Sequence, residues 1–217
     1  MALRTSVSNR QVIRDFGQAL SFNGTSDFCT IPIVPSTTAF SVCLWINPTR
    51  LTDLSRILDF QDGGPTNGFT LLCNATNRLE ATINNAGSEQ ARIVSPPLVI
   101  SRWYHIVLTY QVNSYIMYFN GVNFASDLTV TMTTAATTLS LGKRATGASS
   151  YYQGAIDNLL FFNGVVLTPT QITNLYFRGA IPSGVSGHYT LNGNGNDSSG
   201  NGNNLTVTGG TYILGVM

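Results

Sequence analysis

The chain has 217 residues, 43% of them hydrophobic and only 10% charged, with a formal net charge of +1. That length can bury a sizeable core in one all-β domain, and the near-neutral balance lacks the basic excess of sequence-independent phosphate binding, so nucleic acid is not an expected partner. No run approaches the roughly eighteen apolar residues of a membrane helix, and "MALRTSVSNRQVIRDFGQ" lacks the apolar segment of a secretory signal; the reading is a soluble, unexported chain without membrane insertion.

Residues 1–16 form an arm of low apolar content, and a single domain is expected over 17–217. From there, short runs rich in Val, Ile, Thr, Phe and Tyr recur between Gly, Asn, Pro and Ser clusters: "ALSFNG", "AFSVCLWINP", "SRILDFQ", "GFTLLCN", "RLEATIN" and "WYHIVLTYQ". This spacing predicts an antiparallel sandwich or barrel. Cys29, Cys43 and Cys73 are odd in number and sit in apolar runs without metal-ligand spacing, so they read as buried free thiols. In "YIMYFNGVNFA", Asn120-Gly121 predicts a type I′ hairpin, because both central residues of that turn need positive φ. The Thr-rich "LTVTMTTAATTLSLG" suits a strand, a loop and a second strand.

One stretch reads as helix. In "LTPTQITNLYFRGA", Thr168 caps, Pro169 takes the first helical position, Gln171 completes a capping box, and Gly179 ends a helix near 169–178. After it, "GHYTLNGNGNDSSGNGNNLTVTGGTY", residues 187–212, alternates as two strands around a turn-rich loop; Tyr189, Leu191, Leu205 and Val207 are expected in the core beside Leu20 and Phe22.

Taken in order, "ALSFNGTSDFCTIP", "FSVCLWINP", "RWYHIVLTYQVNSYIMYFNGV" and "LSLGKRATGASSYYQGAIDNLLFFNGVVLTPTQITNLYFRG" resemble the concanavalin A-like jelly rolls of laminin-G-like type. The resemblance implies a two-sheet, antiparallel jelly-roll sandwich. It also implies a displacement, because 187–212 is similar to the family's first two strands, which normally precede the segment matched by "DFGQALSFNG". The alternatives are a circular permutation, exchange of the tail with a neighbouring subunit, or a truncated second repeat.

The superfamily contains glycoside hydrolases, whose usual chemistry needs two carboxyls facing one bond. Here the glutamates are Glu80 and Glu89, nine apart, while Asp59 and Asp62 would point to opposite faces of a strand. His105 and His188 read as structural, and no catalysis is expected. No cofactor is required. The resemblance does implicate Ca²⁺, with Asp27, Asp157 and Asp197 as candidate ligands in open turns; Asx-turn bonding is the plainer reading of each. For a glycan, Tyr151 is the candidate stacking platform, with Asn123, Lys143 and Arg144 as polar contacts, whereas Tyr152, Trp45 and Trp103 are assigned to the core. Two functions follow. The leading expectation is a self-assembling structural or decorating protein of a phage or viral particle surface, made in the cytoplasm and partnered by its own copies or by shell proteins. The alternative is a soluble, extracellular lectin-like module.

Overall fold

The computed structural model describes residues 17–61, 67–133 and 139–215, so the arm 1–16 and Asp62 lie outside the described residues. Among the described residues, fifteen strands form in chain order: β1 (Gln18–Asn23), β2 (Phe28–Ile31), β3 (Ala39–Pro48), β4 (Arg56–Gln61), β5 (Gly68–Cys73), β6 (Arg78–Asn85), β7 (Ser88–Pro97), β8 (Tyr104–Gln111), β9 (Ser114–Phe119), β10 (Val122–Asp127), β11 (Leu139–Leu141), β12 (Gln153–Asn163), β13 (Gly187–Tyr189), β14 (Thr206–Thr208) and β15 (Thr211–Leu214). They make two antiparallel sheets: β10-β9-β8-β3-β12-β1-β15, with β13 also on β12, and β14-β2-β11-β4-β5-β6-β7. The architecture is the jelly-roll sandwich expected.

Alternation puts one face of each sheet inside. Leu20, Phe22, Phe40, Leu44, Phe60, Phe69, Ile106 and Phe161 are buried in one cluster between the sheets, where Phe40 stacks on Phe69 at 4.7 Å. The three cysteines are free and buried, as read from the sequence, and burial pushes the Cys29 thiol up to about 12 and the Cys73 thiol up to about 11. The hairpin also forms as expected, with Asn120 at φ 52 and Gly121 at φ 80. Gly121 is constrained a second way, because a Cβ there would come within 2.7 Å of the Tyr176 ring.

Tyr176 belongs to the helix α1 (Pro169–Arg178), which lies over the outer face of the eight-stranded sheet. There Ile172 and Leu175 join Cys43, Val107, Tyr118, Leu160 and Phe162 in a second, smaller core. Trp45 is in this layer, under Tyr176 at 5.6 Å and beside His105 at 4.9 Å, and Trp103 precedes β8, half-buried. The cap is formed as predicted: the Thr168 side chain accepts the Gln171 N–H, and Gln171 Oε1 accepts the Thr168 N–H at 2.8 Å. Thr168→Ala is expected to cost about 1 kcal/mol and to lower the melting temperature by about 2–4 °C; an unchanged midpoint in calorimetry would show that tertiary packing alone holds the helix.

The Thr-rich segment meets expectation only in part: its second strand forms as β11, but its first does not. No strand forms at residues 128–133; instead Val130 and Met132 are buried in the main core, and the Met132 N–H donates to the Tyr110 hydroxyl at 2.8 Å. Core filling by single residues has overridden the strand-like alternation.

The tail divides between the sheets. β13 continues the line of β1 along the same edge of β12: Leu20 faces Ile156 and Tyr189 faces Leu159, and the Gln18 N–H donates to Asn192 Oδ1 at 2.6 Å where the two strands meet. β15 lies beside β1, while β14 joins β2 in the other sheet. Tyr189, Leu191 and Leu205 are buried, and Val207 packs against the same cluster half-buried. The expected core positions are therefore met, but β13 sits end to end with β1 rather than beside it.

Candidate functional site

Two loops and two strand ends enclose a cleft of about 350 Å³, lined by Gly24, Arg50, Thr52, Asp53, Leu54, Ser55, Ser150, Tyr151 and Gln153. β1 brings Gly24 to it, the loop 49–55 lies between β3 and β4, and the loop 142–152 leads into β12. The two loops are locked together: the Arg56 N–H donates to the Ser150 carbonyl at 2.8 Å, and Arg56 and Tyr151 pair as an isolated parallel bridge. Leu54 (φ 60) and Ser150 (φ 59) hold left-handed backbone on opposite sides of the cleft, a conformation that side-chain-bearing residues adopt at a cost.

Tyr151 is half-exposed in this cleft, whereas Tyr152 is fully buried and meets Phe22 edge-on at 6.2 Å. The difference in exposure expected of these adjacent tyrosines is thus present. Lys143 and Arg144 stand on the same loop as Tyr151; the Lys143 side chain is engaged there, whereas Arg144 is tied through its backbone and its Nε is buried without a hydrogen-bond partner. Lys143 Nζ donates to the Gly147 carbonyl at 3.2 Å and lies 4.1 Å over the Phe28 ring, and Arg144 N–H donates to the Ser149 carbonyl at 3.3 Å. Asn123 is elsewhere, exposed at a bulge of the edge strand β10, with β9, β8 and β3 between it and β12. The structure does not bring it to Tyr151. Arg50, Asp53 and Gln153 carry polar groups at the cleft that sequence reading did not single out; Arg50 and Asp53 are loop residues without a periodic signal, Gln153 opens β12, and only their shared position beside Tyr151 in three dimensions reveals them.

The three candidate calcium ligands do not converge. Asp27 Oδ2 accepts the Asn23 N–H at 2.9 Å in the turn after β1. Asp157 lies on β12 opposite Trp45, fully buried, with Oδ1 accepting the Asn158 N–H at 2.7 Å and Oδ2 lacking a hydrogen-bond partner; burial raises its carboxyl to about 7. Asp197 organises the tail loop. Burial alone would raise it, but donation from the His188, Ser199 and Asn203 N–H groups and the Ser199 hydroxyl holds it below the usual carboxylate range. Among the described residues, no three His, Cys, Asp or Glu side chains gather in a group able to hold a metal.

The glutamates do meet. The β6–β7 register places both beside Arg92, whose Nη1 is 3.1 Å from Glu80 Oε2 and whose Nη2 is 2.7 Å from Glu89 Oε2. Their separation in sequence hid this, because the hairpin folds the chain back between them. Both carboxylates serve one guanidinium, and the cleft itself is lined by a single carboxylate, Asp53.

The family profile described as Laminin_G_3, concanavalin A-like lectin/glucanases superfamily, matches residues 23–173. No curated protein sequence matches the chain. Among solved structures, the fold is similar to a candidate carbohydrate-binding protein from Bacteroides ovatus ATCC 8483 (TM-score 0.70, 19% identity, covering 91% of this chain), of which this chain spans 60%. It is also similar to the native heptameric SAP-like pentraxin of Limulus polyphemus (TM-score 0.67, 16% identity, 93% of this chain and 96% of that one). A third is domain 4 of AbnA, a GH43 extracellular arabinanase from Geobacillus stearothermophilus, solved with arabinotriose (TM-score 0.58, 23% identity, 73% and 76%). At these identities the likeness is one of fold. No helix among the described residues is long and apolar enough to cross a membrane.

Proposed function

Because the chain belongs to the concanavalin A-like lectin/glucanase superfamily, we propose that it is a non-catalytic, lectin-like module that binds a glycan in the Tyr151 cleft. The observation that carries this reading is the half-exposed tyrosine set among Arg50, Asp53, Gln153 and hydroxyl side chains. An aromatic face takes the apolar face of a sugar ring, while guanidinium, carboxylate and amide groups fix its hydroxyls. The absence of hydrolysis in this proposal rests on carboxylate chemistry. Hydrolysis needs one carboxyl to give a proton and another to act as base or nucleophile, and the cleft lining offers Asp53 alone.

This reading favours the extracellular lectin-like alternative over a particle component, since two of the three neighbours are described by carbohydrate binding or solved with a sugar, and none of the three as a particle protein. The pentraxin's heptamer supports self-association as part of the proposal, for which native mass measurement gives the subunit number.

The test is a screen on immobilised glycans followed by titration of the best binder. Tyr151→Ala is expected to weaken that binding by about 1–3 kcal/mol, the usual loss on removing a stacking anchor. Unchanged affinity would remove Tyr151 from the site, and a parent protein that binds no glycan would overturn the reading.

A further inference from the structure

The turn that brings Asp53 to the cleft is shaped for a residue other than the one that occupies it. The Ser55 N–H donates to the Thr52 carbonyl at 3.2 Å and the Ser55 hydroxyl donates to the same oxygen at 2.9 Å, closing a four-residue turn from Thr52 to Ser55. Its third position is Leu54, at φ 60. A turn with positive φ there favours Gly or Asn, because a Cβ crowds the carbonyl oxygen that follows. Bonds on either side pin the turn: the Cys73 N–H donates to the Ser55 carbonyl at 2.9 Å, and the Arg56 N–H to the Ser150 carbonyl at 2.8 Å. The surroundings therefore hold Leu54 in a conformation that its own side chain opposes.

Elsewhere in the chain the same cost is offset by burial. Among the described residues, the non-glycine positions with positive φ are asparagine, serine or alanine except for two leucines, Leu54 and Leu191. Leu191 is 1% exposed and belongs to the main core, whereas Leu54 is 52% exposed. Leu51, on the same loop, packs against that core as well. Leu54 thus combines a strained backbone with an aliphatic side chain that stands half in water, and the folded chain recovers little by keeping it. Strain of this kind gathers at ligand sites, and Leu54 lines the same open cleft as Tyr151.

The two side chains come from the two loops that wall the cleft, Leu54 from 49–55 and Tyr151 from 142–152, and the bridge between Arg56 and Tyr151 fixes one loop against the other. Leu54 and Tyr151 present apolar surface there, while Arg50, Asp53 and Gln153 supply charged and amide groups. A ring that enters between two apolar walls must offer C–H groups on both of its faces. In a pyranose with every hydroxyl equatorial, the axial C–H bonds occupy both faces and the hydroxyls leave from the rim. An axial hydroxyl would instead set a polar group against Leu54 or Tyr151, where burial without a partner is unfavourable.

We propose that Leu54 is a specificity-determining residue of the Tyr151 cleft, forming its second apolar wall, and that the ligand is a glycan of all-equatorial pyranoses, gluco- or xylo-configured. This assignment rests on the glycan reading and deepens it, naming the sugar class and the residue that selects it. Arg50, Asp53 and Gln153 then meet the hydroxyls at the rim of the ring.

The experiment titrates the full chain with matched β-linked trisaccharides of glucose, xylose, mannose and galactose, and records melting curves of the same samples. The glucose and xylose ligands are expected to bind at least about tenfold more tightly than the two with axial hydroxyls. Leu54→Gly and Leu54→Asn accept left-handed backbone, so each should raise the melting midpoint by about 2–4 °C. Each should nonetheless weaken glucose and xylose binding by about tenfold, the loss of a buried aliphatic contact, and narrow the preference over mannose and galactose. Leu54→Met keeps the apolar reach and should hold the parent's affinity and preference. Affinity and preference unchanged in the two stabilised variants would overturn the role of Leu54 and leave the glycan reading standing on Tyr151. A lower midpoint in Leu54→Gly would overturn it too, since the side chain would then serve the folded chain itself. Tighter binding of the mannose or galactose ligand, or binding confined to furanose sugars in the glycan screen, would overturn the sugar class. A parent that binds nothing in that screen would instead sink the glycan reading, and this assignment with it.

Discussion

A chain ending at residue 186 is expected to aggregate or to fail to fold. The cut removes β13, β14 and β15, which uncovers the edge of β12 at Leu159–Phe161, the edge of β1 and the edge of β2. It also removes Tyr189, Leu191 and Leu205 from the main core. Burial of each such side chain stabilises by about 1.5–3 kcal/mol, against a total for a domain of about 5–15 kcal/mol. Open, flat strand edges then template pairing with other chains. All these pairings lie within one chain, so over a roughly hundredfold range of concentration in which native mass measurement finds a single subunit, the urea midpoint of the full-length protein should stay the same. A midpoint that climbs with concentration would favour exchange of the tail between subunits. A soluble 1–186 fragment with a cooperative transition at the parent's midpoint would make the tail an appendage.

Between pH 5 and pH 8 the parent is expected to lose stability, and Asp157→Asn to lose less. Burial lifts the Asp157 carboxyl from an ordinary 3.8 to about 7, although the Asn158 N–H on Oδ1 pulls it down, and Oδ2 is buried with no hydrogen-bond partner. The sign follows from proton binding. The folded chain holds this proton more tightly than the unfolded chain, so the stabilisation is complete below about pH 4 and is lost as pH climbs through about 7. About three pH decades at about 1.36 kcal/mol each give at most about 4 kcal/mol. Asparagine mimics the protonated carboxyl and does not titrate. Asp59, raised to about 6, acts in the same direction and remains in the variant, so its pH dependence is reduced rather than abolished. Denaturant midpoints at the two pH values decide the matter: the variant should gain on the parent toward pH 8, and a gap that stays constant would show that Asp157 is not held neutral.

Local chemistry was legible in the sequence wherever one residue type has one conformational use. Asn120-Gly121 needed positive φ and has it, and Thr168, Pro169 and Gln171 are helix-start residues and begin the helix. Alternation marked Tyr189 and Leu205 as core-facing. It could not say which strand each would join, because pairing depends on partners distant in the chain; β14 and β15 accordingly went to different sheets. The same limit governed the site. Tyr151 was separable from Tyr152 by its place before a strand, but Arg50 and Asp53 reach it from a loop about a hundred residues away, and a loop has no period to read. Asn123 was misplaced for the converse reason: its hairpin turns at the end of the sheet where β3 and β12 reach the cleft, but three strands lie between β10 and β12, and a polar residue beside an aromatic hairpin carries no sign of how far across the sheet it sits.

The strand β1 fixes which way the molecule can be presented. At one end of it the chain's two described extremities touch, the Gly215 N–H donating to the Gly17 carbonyl at 3.2 Å. At the other end, Gly24 forms part of the Tyr151 cleft. Six residues at about 3.3 Å each separate these by roughly 20 Å. Any tether joined through residues 17 and 215, whether one or both, therefore grips the sandwich at a single pole and leaves the cleft at the opposite one, turned outward from whatever surface holds the protein.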